Sequence, residues 1–254
     1  MQHYSYRYYA VLLLFFLQGF SPVFANENPT DIIKAAIDYW RDKSSYSVAN
    51  MTIHRPYWKR TMTLRMWTQG MKKSLVRVIY PPKDKGNATL TKNDKMWMFS
   101  PKTNRIIKIP SSMMNQGWMG SDFSNNDVAK ADSLLKHYTH TFKGTETHQG
   151  QTVYIVEAVP FDDAPVVWGK EVLKIRADHI ILEHAFFDQD NVLVKKMVTR
   201  DIKKMGGKRI ARVQRMQKAE QPNKWTEIVV TEAQFKLNVP NRRFTLSNLR
   251  NPRN

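Results

Sequence analysis

The sequence predicts a mainly β protein, a long, strongly curved antiparallel sheet with two helices against one face. Three observations predict it. From Tyr46 almost to the end, apolar and polar residues alternate with period two in short runs. The connections between those runs are short and rich in turn residues, as in an antiparallel meander. Only two stretches carry apolar residues at helical spacing instead.

The first of these stretches opens at Asn28-Pro29-Thr30-Asp31, with Asn28 as cap, Pro29 in the first helical position and Asp31 in the first turn. Ile32, Ile33, Ala36, Ile37 and Trp40 then form one apolar stripe, and the helix should end between Arg41 and Ser44. In the next run, Met62, Leu64 and Met66 alternate with Thr61, Thr63, Arg65 and Trp67, the pattern of a half-buried strand. A strand over 74–80 stops at Pro81-Pro82, and Lys83 to Gly86 should form the turn. Short strands follow over 87–91, 95–100 and 105–109.

Between 111 and 123 large apolar residues (Met113, Met114, Trp118, Met119, Phe123) sit among Gly, Ser and Asn, so turn chemistry should bring them near the surface. The second helix begins at Ser124, with Ser124 and Asp127 in capping-box positions and Val128, Ala131, Leu134, Leu135 and Tyr138 as its stripe. In a strand-rich chain such a helix is expected to cover a sheet face. Strands resume over 139–146, 151–159, 167–177, 180–187 and 192–204. Gly206-Gly207 then signals a hairpin into 208–218, and a last strand covers 225–236 before a tail with Phe244 and Leu246. No linker, low-complexity block or repeat divides the chain, so residues 26–254 read as one domain.

Residues 1–25 have the form of a cleaved export signal. Arg7 precedes a short apolar run, Ala10 to Leu17, and Val23-Phe24-Ala25 fits cleavage before Asn26. The run is too short to span a bilayer. The 254 residues include no cysteine, which excludes disulfides, thiolate metal sites, thiol nucleophiles and acylation as a lipoprotein. With 40 Lys and Arg against 22 Asp and Glu, the chain carries +18, or +17 once Arg7 is gone. For an exported protein this charge favours an anionic membrane surface over nucleic acid.

Every enzymatic constellation that the sequence offers is weak. It has no Gly-x-Ser-x-Gly elbow, no phosphate-cradling loop and no His-Glu-x-x-His helix. In the 179–184 segment, strand alternation separates His179 and Glu183 from His184, and Asp162-Asp163 reads as a solvated turn. No catalytic group, metal or cofactor is expected. The candidate site is instead apolar. Residues 111–123 would form a soft lid, and Met62, Leu64, Met66, Trp97 and Phe99 would contribute to a cavity wall.

The blocks Arg77 to Ala88, Met96 to Pro101, Arg105 to Pro110 and Met119-Gly120-Ser121-Asp122-Phe123-Ser124 resemble the outer-membrane lipoprotein-sorting protein family, relatives of the periplasmic lipoprotein carrier of the Lol system. The resemblance implies an incomplete β-barrel with helices over a concave apolar face that holds acyl chains. It implies a periplasmic carrier moving lipoproteins or other envelope lipids towards the outer membrane. The partner it implies is an inner-membrane transporter of the resistance-nodulation-division type. A non-transporting lipid-sensing or accessory domain on the same fold is the alternative.

Overall fold

The computed structural model describes residues 28–252 except Ala131; the expected leader, residues 1–25, lies outside them. The first helix, α1 (Pro29–Arg41), forms as its sequence dictates, with the Asn28 side chain accepting from the Thr30 N–H. Six strands follow: β1 (Ser44–Arg55), β2 (Trp58–Gln69), β3 (Lys73–Tyr80), β4 (Ala88–Lys92), β5 (Lys95–Ser100) and β6 (Arg105–Lys108). Beyond them lie two single 3-10 turns, then α2 (Asn125–Ala129) and α3 (Ser133–His137). The second run comprises β7 (Tyr138–His148), β8 (Gln151–Pro160), β9 (Lys170–Arg176), β10 (Ile181–Phe187), β11 (Leu193–Met205), β12 (Lys208–Lys218) and β13 (Trp225–Phe235). A short α4 (Leu246–Arg250) lies in the tail.

All thirteen strands form one antiparallel sheet in the order β6-β5-β4-β3-β2-β1-β13-β12-β11-β10-β9-β8-β7, which does not close into a barrel. The predicted fold class is therefore borne out. Two meanders meet at the β1–β13 pair, Met51 facing Ile228. The chain leaves the sheet at one edge, β6, and re-enters at the other, β7. Residues 109–137 must bridge those two edges, and this crossing supplies the cover of the open concave face.

The expected second helix is two. The chain leaves helical geometry at Lys130, and Tyr138 already belongs to β7. Val128 and Ala129 pack with Met62, Leu64 and Val78 on one half of the sheet, whereas Leu134 and Leu135 pack with the α1 stripe on the other. One straight helix cannot serve two separate apolar patches.

The convex face of β3 to β5 is buried as well. Leu75, Leu90 and Phe99 pack there against Val239, Phe244 and Leu249 of the tail. Arg77, itself buried, donates to the Asn248 and Leu249 carbonyls at 2.9 and 3.0 Å. This explains why these strands are apolar on both faces rather than alternating.

Candidate functional site

A cavity of about 320 Å³ lies between the concave sheet, α1 and the crossing segment. Its floor includes Leu64, Met66, Val76, Ile228 and Val230, its roof Trp118, Phe123 and Val128, and its side Ile37 and Trp40. The floor residues are the inward positions of their strands, so period two places them together.

The roof is the lid expected at 111–123, but it is a plug rather than an exposed flap. Trp118 is only 3% exposed, and Met114 and Phe123 are buried too; Met113, at 38%, is the exception. Turn residues had suggested a surface position, but the loop folds back over the sheet and satisfies its own backbone. Trp118 N–H donates to the Phe123 carbonyl at 2.7 Å, and Asn126 N–H to that of Met114 at 2.8 Å. Gly117 permits the fold-back, since a Cβ there would meet the Ser121 carbonyl oxygen at 2.6 Å. Met119 and Gly120 both adopt positive φ, at 51° and 78°.

Three contacts tie the lid down. The Trp118 indole N–H donates to Thr89 Oγ1 at 3.0 Å. Arg55, at the end of β1, reaches Asp122 through both guanidinium nitrogens at 3.0 and 3.2 Å, and the Gly120 carbonyl at 3.2 Å. Thr226 Oγ1 donates to Asp122 Oδ2 at 2.6 Å. The bidentate Arg55–Asp122 pair is largely shielded from water, so removing either partner strands an uncompensated charge.

The expected wall residues divide. Leu64 and Met66 line the cavity, and Met62 lies fully buried beside them under the lid with Met114 and Trp118. Met119 packs at the margin of the same cluster. Trp97 and Phe99 are a correction: they occupy the convex phase of β5 and pack with the tail, while Met96 and Met98 point inward. Assigning Trp97 to the wall put the β5 alternation in the wrong phase.

A second hollow of about 220 Å³ shares Ile37, Phe123, Asp127, Ile181 and Met197 with the first. It holds polar groups that sequence reasoning missed. Glu171, 5% exposed, accepts from the Tyr138 hydroxyl at 2.5 Å and pairs with His184 Nε2 at 2.5 Å. Burial, reinforced by the neighbouring Glu171 carboxylate, pushes the Tyr138 phenol above its ordinary pKa. Beside them Lys195 Nζ, buried between the Trp168 and Phe186 rings, donates to Asp127 Oδ2 at 2.5 Å. Asp127 also completes the Ser124 capping box, so the start of α2 is fastened to β11. A signal existed: Glu171, His184 and Lys195 occupy the same strand phase as Leu173, Phe186 and Met197. At the cavity rim, burial lowers the pKa of Arg41 to about 10; its guanidinium donates to the Gly70 and Lys73 carbonyls. Among the described residues no group of three metal-ligating side chains occurs.

A family model described only as that of an uncharacterized protein matches residues 70–251, well over half the chain. The chain belongs to that family. No curated protein matches it. Its fold is shared with a DUF1329 family protein from Desulfovibrio piger, at 22% identity and a TM-score of 0.77 over 88% of this chain and 100% of the other. It is likewise similar to an outer-membrane lipoprotein-sorting protein domain from Vibrio parahaemolyticus (20%, 0.75, 87% and 98%). A LolA superfamily protein from Nitrosomonas europaea also matches (17%, 0.71, 87% and 99%). The resemblance read from the sequence is thus borne out at the level of the fold: this family member has a LolA-like half-barrel.

Proposed function

We propose that the protein is a periplasmic carrier that binds acyl chains of lipoproteins or other envelope lipids in its cavity for transfer towards the outer membrane. The observation that carries this reading is the apolar cavity roofed by a segment joined to the sheet mainly through side chains. A buried methylene favours an apolar site over water by about 0.8 kcal/mol, so an acyl chain of ordinary length needs such shelter to cross an aqueous space. The lid can admit it because Trp118, Asp122 and Phe123 make replaceable contacts, whereas the strands beneath are held by continuous ladders. Export through a cleaved leader and handover from a resistance-nodulation-division transporter belong to the same proposal.

Native mass spectrometry of gently purified protein, followed by titration of delipidated protein with a fluorescent fatty acid, tests the reading. Co-purifying lipid and saturable binding are expected, with binding abolished in Met66→Arg, whose charge enters the wall. A correctly folded protein that neither carries lipid nor binds the probe would overturn the carrier role.

A further inference from the structure

At one end of the sheet, the half built from β1 to β6 exposes large aromatic side chains to solvent. Tyr57, at the tip of the β1–β2 hairpin, is 98% exposed, Trp58 beside it 50%, and Tyr80 at the end of β3 61%. Two contacts bring the loops of this end together. Arg60 of β2 pairs with Asp84 of the β3–β4 loop at 2.6 Å, and Gly86 of that loop abuts Pro101 of the β5–β6 turn. Around the rings stand Lys59, Lys83, Lys85 and Lys102, all exposed and without an ion pair to any described residue. Asp84 is the single acid in 55–60, 80–86 and 101–105, and Arg60 already neutralises it.

We propose that this rim is a docking surface for an anionic lipid bilayer. Tyr and Trp are the side chains that settle at the head-group level, apolar body inward and polar edge to water. Unpaired lysines around them are attracted to acidic lipid within a Debye length. At the far side of the same end, the β8–β9 and β10–β11 turns carry Asp162-Asp163 and Asp188 to Asp190 and are acidic. A bilayer therefore meets the β1–β6 half first. That half carries the lid: the Arg55 guanidinium lies 5.8 Å from the Trp58 ring centre and also holds Gly120 and Asp122. Docking here brings the lid, and whatever passes it, to the membrane surface. The surface requires no bound acyl chain, so the proposal goes beyond the carrier reading and can fail or stand without it.

The test is co-sedimentation of the full chain with vesicles of phosphatidylcholine alone or with phosphatidylglycerol added, wild type and variants in parallel so that any contribution of residues 1–25 is common to all. Binding is expected to the anionic vesicles, weakened at least about tenfold in Tyr57→Ser/Trp58→Ser and in Lys83→Glu/Lys85→Glu. Lys203→Glu/Lys204→Glu, which makes the same charge change on the exposed end of β11 away from this rim, should bind as wild type. Unaltered thermal melts separate lost docking from lost folding. Three results would overturn the proposal: no binding to anionic vesicles, equal weakening by the Lys203/Lys204 control, or a rim that captures a protein partner while ignoring vesicles.

Discussion

The two halves of the concave face are covered in different ways. Over β7 to β9 the cover is α1, a continuous helix whose Ile32, Ile33, Ala36 and Ile37 bury against Val156, Leu173 and Ile175. Over β1 to β6 it is a loop of single turns, wired to itself by backbone hydrogen bonds, to β4 by Trp118, and past that half to β13 by Asp122 and to β10 and β12 by Phe123. Burying an aliphatic stripe contributes about 1.5–3 kcal/mol per large side chain, and a helix loses that packing only as a unit. A self-satisfied loop loses a few side-chain contacts when it lifts and exposes little unpaired backbone. On the carrier reading proposed above, α1 is the static cover and residues 111–123 are the part that opens.

The largest expected effect strikes the static half. Ile33→Ala, at a fully buried position, should cost about 2–5 kcal/mol of global stability, read as a lower urea midpoint. A change confined to α1 exchange rates with an unmoved midpoint would show that α1 is not the static cover. On the opening half, Asp122→Asn removes the carboxylate that Arg55 and Thr226 share, at a local cost of about 3 kcal/mol. Hydrogen exchange over 111–123 should accelerate while α1 stays protected; acceleration spread evenly over both would erase the distinction.

Between the halves, Lys195→Met leaves Asp127 without its buried partner, and Asp127→Asn the reverse. Combined, they should cost less than the sum of the single changes, by about 0.5–3 kcal/mol of coupling. Strict additivity in equilibrium unfolding would show that the pair does not fasten α2.

The smallest effect is a pH dependence at His140, which joins Thr30 of α1 to the Leu134 carbonyl of α3. Burial lowers its pKa below the ordinary value near 6.5, the Leu134 carbonyl opposing in part. The folded state then takes up a proton later than the unfolded chain as pH falls. Its contribution is present above the ordinary histidine range and is lost as pH drops through it. Melting temperature should therefore decline from neutral to mildly acidic pH, less so in His140→Gln; identical slopes would dismiss the group.

Most of the fold was legible because local chemistry and global structure agree. The α1 bounds follow from Asn28, Pro29 and the isoleucine stripe, and the strands from their alternation. The Ser124 capping box is present as read, with Asp127 in place of the usual Glu. The site was legible only in part. Leu64 and Met66 were found from period two, but Trp97 and Phe99 were placed inward because a strand apolar on both faces gives no phase. The Glu171–His184 pair was missed because its members lie on different strands, aligned only by the β9–β10 register.

By itself the sequence determined the elements, since caps, turns and periodicity act over a few residues and need no partner. Tertiary structure decided which faces became inside. The sheet order put residues 109–137 across the open concave face, and that crossing split the second helix between two patches and turned an apparently exposed Met and Trp segment into a buried plug. The tail likewise fixed the inward phase of β5 by covering its other side. Such outcomes depend on contacts between residues far apart in the chain, where burial of apolar surface outweighs local turn preference.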